Sequence, residues 1–358
     1  MRILITGGAG FVGSQLALSF KRDYPQYRVM ALDNLKRRGS ELALRRLALG
    51  GIEFRHGDIR NRDDLADAGP ADLLIECSAE PSVQAGLSGG ERYLIDTNLM
   101  GTIHCLDHAR AHGAAVIFLS TSRVYPIAPL RELPLVREGA RFALPESVRG
   151  PGWSARGIAD NFPLTGSRSL YGASKLCSEL ILAEYVALYG LRAVVNRCGV
   201  VTGPWQMGKV DQGFVVLWAA RHLYGGMLTY NGFGGDGYQV RDILHIEDLY
   251  RLIELQVRAI ERHSGKIYNV GGGLDCSVSL AELTEACAAR AGRLIAIASE
   301  PRTNPVDIPY YISDTDTVVD ATGWRPRWSR DEILDDVFAW LKGHRDEVEP
   351  ILGGAGSK

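Results

Sequence analysis

Short apolar runs alternate along the chain with longer segments in which apolar residues recur three or four positions apart. The short runs are typical of buried strands and cover 3–5, 29–32, 73–77, 116–120 and 193–196. The periodic segments predict amphipathic helices over 13–22, 93–112 and 170–188. Such alternation predicts an α/β fold with a doubly wound parallel sheet.

The region from 126 to 169 interrupts this alternation, being rich in Pro, Gly, Arg and Ser. Beyond 197, loops and aromatic residues become frequent, and 240–255 again indicates a strand followed by a helix. We therefore expect a large domain and a smaller, discontinuous C-terminal domain. The large domain is assigned 1–197 and 238–271, with 126–169 as an insertion at the active site; the small domain is assigned 198–237 and 272–350, and 351–358 is expected to be a flexible tail.

Charge and composition exclude several classes of protein. The 40 Lys and Arg residues nearly balance 42 Asp and Glu residues without a basic block, which argues against a nucleic-acid partner. No apolar stretch is long enough for a membrane span, and a strand-like segment begins at residue 2, so we expect a cytoplasmic protein that does not bind membranes. The six cysteines lack CxxC spacing and are expected to be reduced.

A glycine-rich segment follows the first predicted strand and opens the first predicted helix. Gly7, Gly10 and Gly13 have GxxGxxG spacing, with Phe11 and Val12 between the last two. Glycines here allow the backbone to approach a pyrophosphate at the helix N-terminus, where unpaired N–H groups favour anions. This arrangement predicts a Rossmann-type dinucleotide site.

Asp33 ends the second strand about 20 residues further on, where a carboxylate accepts hydrogen bonds from the adenosine ribose and repels a 2′-phosphate. We therefore predict NAD as the cofactor, and Asn34 is placed in the same site. The basic residues at 36–38 could instead hold a 2′-phosphate or form a solvated loop. Asp58 and Ile59 end a further strand; Asp58 either touches the adenine edge or is a turn residue.

Tyr171 and Lys175 are one helical turn apart on one helix face, and no other tyrosine of the chain has a lysine four residues later. A neighbouring ammonium lowers the pKa of a phenol, so that the phenolate can accept a proton from a sugar hydroxyl. Thr121 follows a predicted strand that precedes this helix. These residues indicate a catalytic site built on Thr121, Tyr171 and Lys175.

With these motifs the chain resembles an extended short-chain dehydrogenase/reductase of the nucleotide-sugar epimerase/dehydratase family. The match places Thr121 four residues before Tyr125, as in the family pattern. The resemblance implies that Thr121 hydrogen-bonds the reacting hydroxyl, Tyr171 is the acid/base, and Lys175 also holds the nicotinamide ribose. It assigns Asn98 to supporting the cofactor site, and it implies a homodimer or homotetramer.

Two departures from the family pattern affect the expected chemistry. Family dehydratases carry Asp-Glu directly after the catalytic Thr, whereas this chain has Ser122 and Arg123, which we place among the substrate contacts. Elimination of water therefore lacks its carboxylates. The second departure is Glu76, where relatives usually have His; this carboxylate is either buried with a shifted pKa or hydrogen-bonded to the backbone.

Further along the chain, 241–245 matches the family's Arg-Asp-x-x-His element, which implies that Arg241 contacts the substrate pyrophosphate; the alternative is that Arg241 pairs with an acidic side chain. The segment 199–214 is similar to the CDP-paratose 2-epimerase branch of the family and favours a CDP-sugar. Lys209 and Gln212 are assigned to the base or sugar. Tyr230 either stacks on the base or belongs to the core of its lobe.

The role of the insertion has two possible interpretations, and a row of histidines raises the question of a metal site. The 126–169 insertion is either a lid over the sugar or an oligomer contact. Histidines at 104, 108 and 112 share a helix face, but we interpret them as the solvated flank of that helix and predict no metal site.

The sequence therefore predicts an isomerase, a nucleotide-sugar epimerase in which a hydroxyl is oxidised transiently by tightly bound NAD and the ketone is reduced on its opposite face. The branch resemblance points to C2 of a CDP-linked deoxyhexose, converting CDP-paratose to CDP-tyvelose. The alternatives are a UDP-sugar 4-epimerase, a net NAD-dependent oxidoreductase or, with a different kind of function, a non-catalytic NAD-sensing protein.

Overall fold

A computed structural model describes residues 1–87, 89–209 and 212–353. The strands, in chain order, are β1 Arg2–Thr6, β2 Arg28–Asp33, β3 Glu53–His56, β4 Leu73–Glu76, β5 Ala115–Thr121, β6 Val136–Glu138, β7 Arg141–Ala143, β8 Trp153–Ser154, β9 Gly157–Ile158, β10 Ala193–Cys198, β11 Val200–Thr202, β12 Leu228–Asn231, β13 Val240–His245, β14 Ile267–Val270, β15 Ser277–Ser279, β16 Ile297–Glu300 and β17 Tyr310–Tyr311.

The helices are α1 Phe11–Asp23, α2 Glu41–Leu49, α3 Arg62–Asp67, α4 Glu91–Ile95, α5 Gly101–His112, α6 Ile127–Arg131, α7 Leu170–Tyr189, α8 Phe214–Tyr224, α9 Ile246–Arg258, α10 Ile260–His263, α11 Leu280–Ala291, α12 Asp316–Thr322, α13 Arg330–Gly343 and α14 Arg345–Leu352. A π-helical turn, Asp96–Met100, joins α4 to α5, and 3₁₀ turns lie at Ser122–Val124 and Phe233–Gly235.

Seven strands form the central parallel sheet in the order β14-β10-β5-β4-β1-β2-β3. Each predicted apolar run coincides with one of these strands, so the predicted α/β, Rossmann-type doubly wound class is confirmed. The strand order reverses at β1, which pairs in parallel with β2 on one side and β4 on the other. Ligands of such folds bind at this switch point, beyond the carboxyl ends of the strands.

The core beneath one face of this sheet is built from the apolar residues that alternate with the helices. Leu74, Val116 and Phe118 of the strands contact Cys105, Leu106 and Leu182 of the helices in one buried cluster. Burying a side chain of this size stabilises the fold by roughly 1.5–3 kcal/mol. This packing fixes α5 and α7 against β4 and β5.

By internal contacts, the chain divides into two compact units. The first contains Met1–Val124, Ser169–Arg197 and Tyr250–Tyr268; the second contains Tyr125–Arg168, Cys198–Leu249 and the chain from Asn269 onward. This division differs from the expected domain boundaries at 125–168, 238–249 and 269–271, all of which join the second unit.

Strand pairing explains the difference at 238–249. β13 pairs with β11, β15 and β17 in a small separate sheet rather than with the central one. An apolar strand followed by a helix looks the same in sequence whichever sheet it enters, because the pairing partners are distant in the chain.

The insertion belongs to the hydrogen-bonded framework of the second unit. β6 and β7 form an antiparallel hairpin, Phe142 N–H donates to Tyr238 C=O at 2.9 Å, and Ser279 Oγ donates to Ala140 C=O at 2.7 Å. Ile158 N–H donates to Ile312 C=O at 2.8 Å. The insertion is therefore anchored along its length, and its role as lid or oligomer contact stays a prediction.

Three smaller expectations concern the termini, membranes and cysteines. Of the expected flexible tail, Leu352 completes α14 and is buried, whereas residues 354–358 lie outside the described residues. In the described parts of the chain, no helix has both the length and the apolar character needed to cross a membrane. All six cysteines are free, and Cys177 is exposed.

Candidate active site

The glycine segment forms a tight turn between β1 and α1. Gly7 has a φ of +63°, and a Cβ on Gly13 would lie 2.2 Å from the carbonyl oxygen of Gly7. Gly10 begins α1 in an extended conformation without a side-chain cap. The first N–H groups of a helix have no partner within it. The backbone N–H groups of Phe11, Val12 and Gly13 are therefore donors that an anion at the start of α1 can use.

Asp33 lies at the end of β2 and is bonded to the glycine segment. Its Oδ2 accepts from Ala9 N–H at 3.1 Å and its Oδ1 from Leu35 N–H at 2.7 Å. Burial raises the pKa of Asp33, although these backbone donors oppose the rise. The carboxyl group is thus held in place beside the N-terminus of α1.

The other predicted adenosine contacts are engaged within the protein. Asn34 Nδ2 donates to Asp58 Oδ2 at 2.9 Å, and Arg60 Nη2 lies 2.6 Å from the same oxygen. Burial opposes ionisation, but hydrogen bonds from Arg60 and Asn34 lower the pKa of Asp58 to about 2. Ile59 is buried against Gly101. These contacts favour the turn role of Asp58 over contact with an adenine edge.

Tyr171 and Lys175 occupy the first two turns of α7. The helix begins at Ser169, whose Oγ accepts from Gly172 N–H at 3.1 Å. Lys175 is only 2% exposed, and its Nζ lies 3.9 Å from the ring centroid of Phe118 on β5. Tyr171 is half-buried. The predicted one-turn spacing is therefore realised, with the ammonium shielded from water.

Thr121 is the last residue of β5 and is 8% exposed. Its Oγ1 accepts from Arg123 N–H at 3.2 Å, which starts the 3₁₀ turn at Ser122–Val124. Because Phe118 lies on the same strand and contacts Lys175, β5 connects Thr121 with α7. The three predicted catalytic residues belong to the first unit, together with Ser122 and Arg123.

Asn98 lies inside the π-helical turn and is completely buried. Its side-chain Oδ1 accepts from Glu80 N–H at 2.8 Å. Its Nδ2 donates to Glu80 C=O at 3.1 Å and to Ser174 Oγ at 3.2 Å. The hydroxyls of Thr102 and Ser178 both donate to the backbone carbonyl oxygen of Asn98 at 2.8 Å. Asn98 therefore ties the loop after β4 to α7, between Tyr171 and Lys175.

Glu76, the last residue of β4, is 1% exposed. Its Oε2 lies 3.3 Å from Thr102 Oγ1, whereas Oε1 has no hydrogen-bond partner. Burial raises the pKa of Glu76, and the charge of Lys175 partly opposes this rise. Of the two possibilities raised from the sequence, the burial of Glu76 favours the first, a buried carboxyl group with a raised pKa.

Arg241, in the second unit, forms an ion pair and hydrogen bonds with backbone carbonyl groups. Nη2 of Arg241 lies 3.0 Å from Asp307 Oδ1 and donates to Ile308 C=O at 2.7 Å, and Nη1 donates to Val240 C=O at 2.8 Å. The expected alternative, an ion pair with an acidic side chain, is therefore present. A pyrophosphate contact for Arg241 stays a prediction.

The remaining predicted substrate residues also lie in the second unit. Tyr230 Oη donates to Thr284 Oγ1 at 2.7 Å, and its ring stacks on Trp218 with centroids 6.5 Å apart. These contacts favour the core role of Tyr230. Lys209 and Gln212 form a backbone bridge, with N–H···O distances of 2.6 and 3.1 Å. Their contact with a base or sugar stays a prediction.

The histidines that share a face of α5 have protein neighbours. His104 Nδ1 lies 2.9 Å from Ile59 C=O, and the rings of His108 and His112 are 4.6 Å apart. Within residues 1–87, 89–209 and 212–353, no group of three or more His, Cys, Asp or Glu side chains is placed to hold a metal ion.

The model of the NAD dependent epimerase/dehydratase family matches residues 3–271, three quarters of the chain. The chain belongs to this family. It is 27% identical to CDP-paratose 2-epimerase from Salmonella typhi over 350 residues, which cover 95% of this chain and 99% of the relative.

Two solved structures share the fold along their whole length. One is a double mutant of the dTDP-glucose 4,6-dehydratase DesIV from Streptomyces venezuelae with NAD bound, with a TM-score of 0.79, 28% identity and coverage of 98% and 100%. The other is UDP-glucose 4-epimerase from Thermus thermophilus with NAD, with a TM-score of 0.74, 27% identity and coverage of 96% and 99%. The family thus includes epimerases and dehydratases.

The protein is an NAD-dependent enzyme of the epimerase/dehydratase family, and the residues present fit that cofactor. A Cβ at Gly7 would lie 2.8 Å from backbone atoms of Cys77, and one at Gly13 would be closer still to Gly7 itself. The turn therefore requires glycine at both positions, as the tight turn of a dinucleotide-binding fold does. Asp33 holds a fixed carboxyl group at the end of β2, where this fold places the ribose acceptor, and its contact with the ribose stays a prediction.

One buried ion pair was not found from the sequence. Nε and Nη2 of Arg197 on β10 bond both carboxylate oxygens of Glu179 on α7, at 2.7–3.1 Å, and Ser120 Oγ donates to Glu179. The pair joins α7 to β10 and to the end of β5, next to Thr121. The signal was the spacing of Glu179, which lies one turn beyond Lys175 on the same face of the helix.

Proposed function

We propose that this enzyme is a nucleotide-sugar epimerase that oxidises one sugar hydroxyl transiently and reduces the ketone on the opposite face. The observation that carries the proposal is Tyr171 one helical turn before a buried Lys175, on a helix that contacts β5, the strand that ends at Thr121. The chain also has Ser122 and Arg123 where carboxylates for elimination would stand. Together, Thr121, Tyr171 and Lys175 can move a proton to and from a substrate hydroxyl.

The roles follow from the chemistry of each side chain. Thr121 accepts or donates one hydrogen bond and orients the sugar hydroxyl. The O–H bond of the substrate breaks as its proton moves to Tyr171 Oη, and the nearby charge of Lys175 stabilises the phenolate form that accepts it. When bound, NAD supplies the group that takes up a hydride and gives it back. After the keto-sugar turns, Tyr171 returns the proton to the new hydroxyl.

We further propose that the substrate is a CDP-linked deoxyhexose that reacts at C2. The similarity over nearly the full length to CDP-paratose 2-epimerase supports this choice. The similarity to a UDP-glucose 4-epimerase supports the alternative of reaction at C4 of a UDP-sugar, because the same three residues serve either carbon. Turnover on a panel of CDP-, UDP- and dTDP-sugars separates the two. The oligomeric state stays a prediction.

Isotope labelling tests the chemistry. Substrate deuterated at the reacting carbon should give an epimer that keeps the label at that carbon, and unlabelled substrate in D₂O should gain none there. Protein as purified should carry NAD and need no added cofactor. Exchange of the carbon-bound hydrogen with solvent would overturn the transient-oxidation mechanism. Release of one equivalent of reduced cofactor with a keto-sugar product would make the enzyme a net oxidoreductase.

A further inference from the structure

The loop after β2 carries a cation close to the residue that reads the adenosine ribose. Lys36 lies three residues after Asp33. In dinucleotide-binding folds, an acidic residue at the position of Asp33 accepts hydrogen bonds from the ribose 2′-hydroxyl, and a basic side chain nearby accommodates the 2′-phosphate of NADP. A mobile lysine at this place would therefore weaken the preference for NAD.

The structure shows Lys36 directed to a different partner. Its Nζ lies 2.8 Å from the ring centroid of Tyr93, in α4. The backbone N–H of Lys36 donates to Asn34 Oδ1 at 3.1 Å, which fixes the start of the side chain. The guanidinium carbon of Arg60 also lies 4.7 Å from the Tyr93 centroid.

Arg60 and Lys36 differ in the contacts that each makes besides the Tyr93 ring. Arg60 forms an ion pair with Asp58 at 2.6 Å, and its Nε contacts both oxygens of that carboxylate at 3.0 and 3.1 Å. It would keep these partners without the Tyr93 ring. The ammonium of Lys36 has the ring as its described contact, and a lysine side chain has a long flexible stem.

We propose that Tyr93 is a cofactor-specificity residue: its ring captures the ammonium of Lys36 and keeps it from a 2′-phosphate, so that Tyr93 and Asp33 together maintain the preference for NAD. Asp33 acts by direct repulsion and by binding the 2′-hydroxyl. Tyr93 acts by occupying a cation through cation–π attraction, without touching the cofactor. The proposal concerns cofactor binding and does not depend on the sugar reaction.

The test measures dissociation constants of NAD and NADP for protein stripped of nucleotide, by titration calorimetry without sugar. Tyr93→Leu should lower the ratio of the NADP constant to the NAD constant by about threefold to tenfold, the range expected when one cation–π contact is lost. Tyr93→Phe is the matched control, because it keeps the ring, and its ratio should equal that of the unmodified protein.

Double substitution identifies Lys36 as the released group. Tyr93→Leu combined with Lys36→Met should restore the original ratio, and Lys36→Met alone should leave it unchanged. The same pattern should appear in an Asp33→Ala background, where the repulsive carboxylate is absent. An unchanged ratio in Tyr93→Leu, or a lowered ratio that persists in the double variant, would overturn the proposal. Equal melting temperatures show that α4 stays folded in every variant.

Discussion

The carboxyl group of Glu76 and the hydroxyl of Thr102 lie 3.3 Å apart inside the first unit, and the same hydroxyl lies 2.8 Å from the carbonyl oxygen of Asn98. A hydroxyl has one proton to donate, and the shorter contact with a carbonyl that only accepts takes it. The Thr102 hydroxyl therefore offers Glu76 little hydrogen bonding to offset its burial, and burial raises the pKa of Glu76.

Glu76→Gln should stabilise the protein in a pH-dependent manner. Burial raises the pKa of Glu76, so the native state keeps the proton after the unfolded state has lost it. Glu76 therefore costs stability as the pH rises above about 4.3, the pKa of an exposed glutamate. Gln has nearly the same shape and stays neutral at every pH. We expect equal melting temperatures near pH 4 and a gain for Glu76→Gln, of the order of 2 °C, near pH 8.

The control for this experiment is Glu91→Gln, since Glu91 is exposed. It should change the melting temperature little at any pH. If Glu76 were instead an ionised partner of Lys175, the sign would reverse, and Glu76→Gln would lose stability as the pH rises.

Tyr171→Phe should lower kcat by roughly 10²- to 10⁴-fold, because the ring stays and the only ionisable oxygen is removed. NAD content should be unchanged. Tyr189→Phe on the same helix is the matched control, as Tyr189 is exposed at its far end. Steady-state kinetics with the preferred nucleotide-sugar provide the measurement. Turnover within threefold of the unmodified enzyme would mean that another group moves the proton.

Arg197→Leu should destabilise the first unit strongly. It leaves the carboxylate of Glu179, whose side chain is 2% exposed, without its cation. Removing one partner of a buried ion pair typically costs roughly 3–5 kcal/mol. Replacing both Arg197 and Glu179 by Leu should cost less than Arg197→Leu alone, because no buried charge remains. Urea unfolding followed by circular dichroism measures both; a double variant as unstable as the sum of the singles would exclude this coupling.

Arg241→Ala should raise the KM for the nucleotide-sugar by roughly 10- to 100-fold with little change in NAD content, as expected for loss of a charge-assisted contact to phosphate. Asp307→Asn is the comparison: Arg241 keeps its bond to Ile308 C=O, so the change in KM should be smaller. Loss of bound NAD in Arg241→Ala, or an equal effect of both substitutions, would assign Arg241 a structural role.

Five of the seven strands of the central sheet were predictable because each contains a short apolar run, and β4 and β5 are buried almost throughout. β3 has no such run, and its Glu53 and His56 are exposed. The candidate catalytic residues could be named from the sequence because their spacing is local, with Tyr171 and Lys175 one turn apart. Their catalytic roles stay predictions. The pairing of β13 outside the central sheet depends on distant strands. The buried pair of Glu179 and Arg197 likewise depends on contacts between residues 18 positions apart that hydrophobic periodicity does not encode.

The segment 93–112 shows a further limit of pattern analysis. Its apolar spacing predicts one continuous helix, whereas the structure has α4, a π-helical turn and α5. One additional residue in a turn changes the periodicity too little to be detected over such a length. The substrate side was also less predictable: Tyr230 is engaged with Thr284 and Trp218, and aromatic residues of a lobe core have the same composition as a base-binding site.

The π-helical turn at Asp96–Met100 makes this part of the chain intolerant of changes in length. A helix advances about 100° per residue, so one extra residue sets the angular phase between Tyr93, which precedes the turn, and Thr102, which follows it. Deleting any single residue from the turn would give a regular helix in which one of these two side chains is rotated by a quarter of a turn or more. An insertion or deletion here would change the angle between Tyr93, the proposed partner of Lys36, and Asn98, whose side chain bonds Glu80 and Ser174.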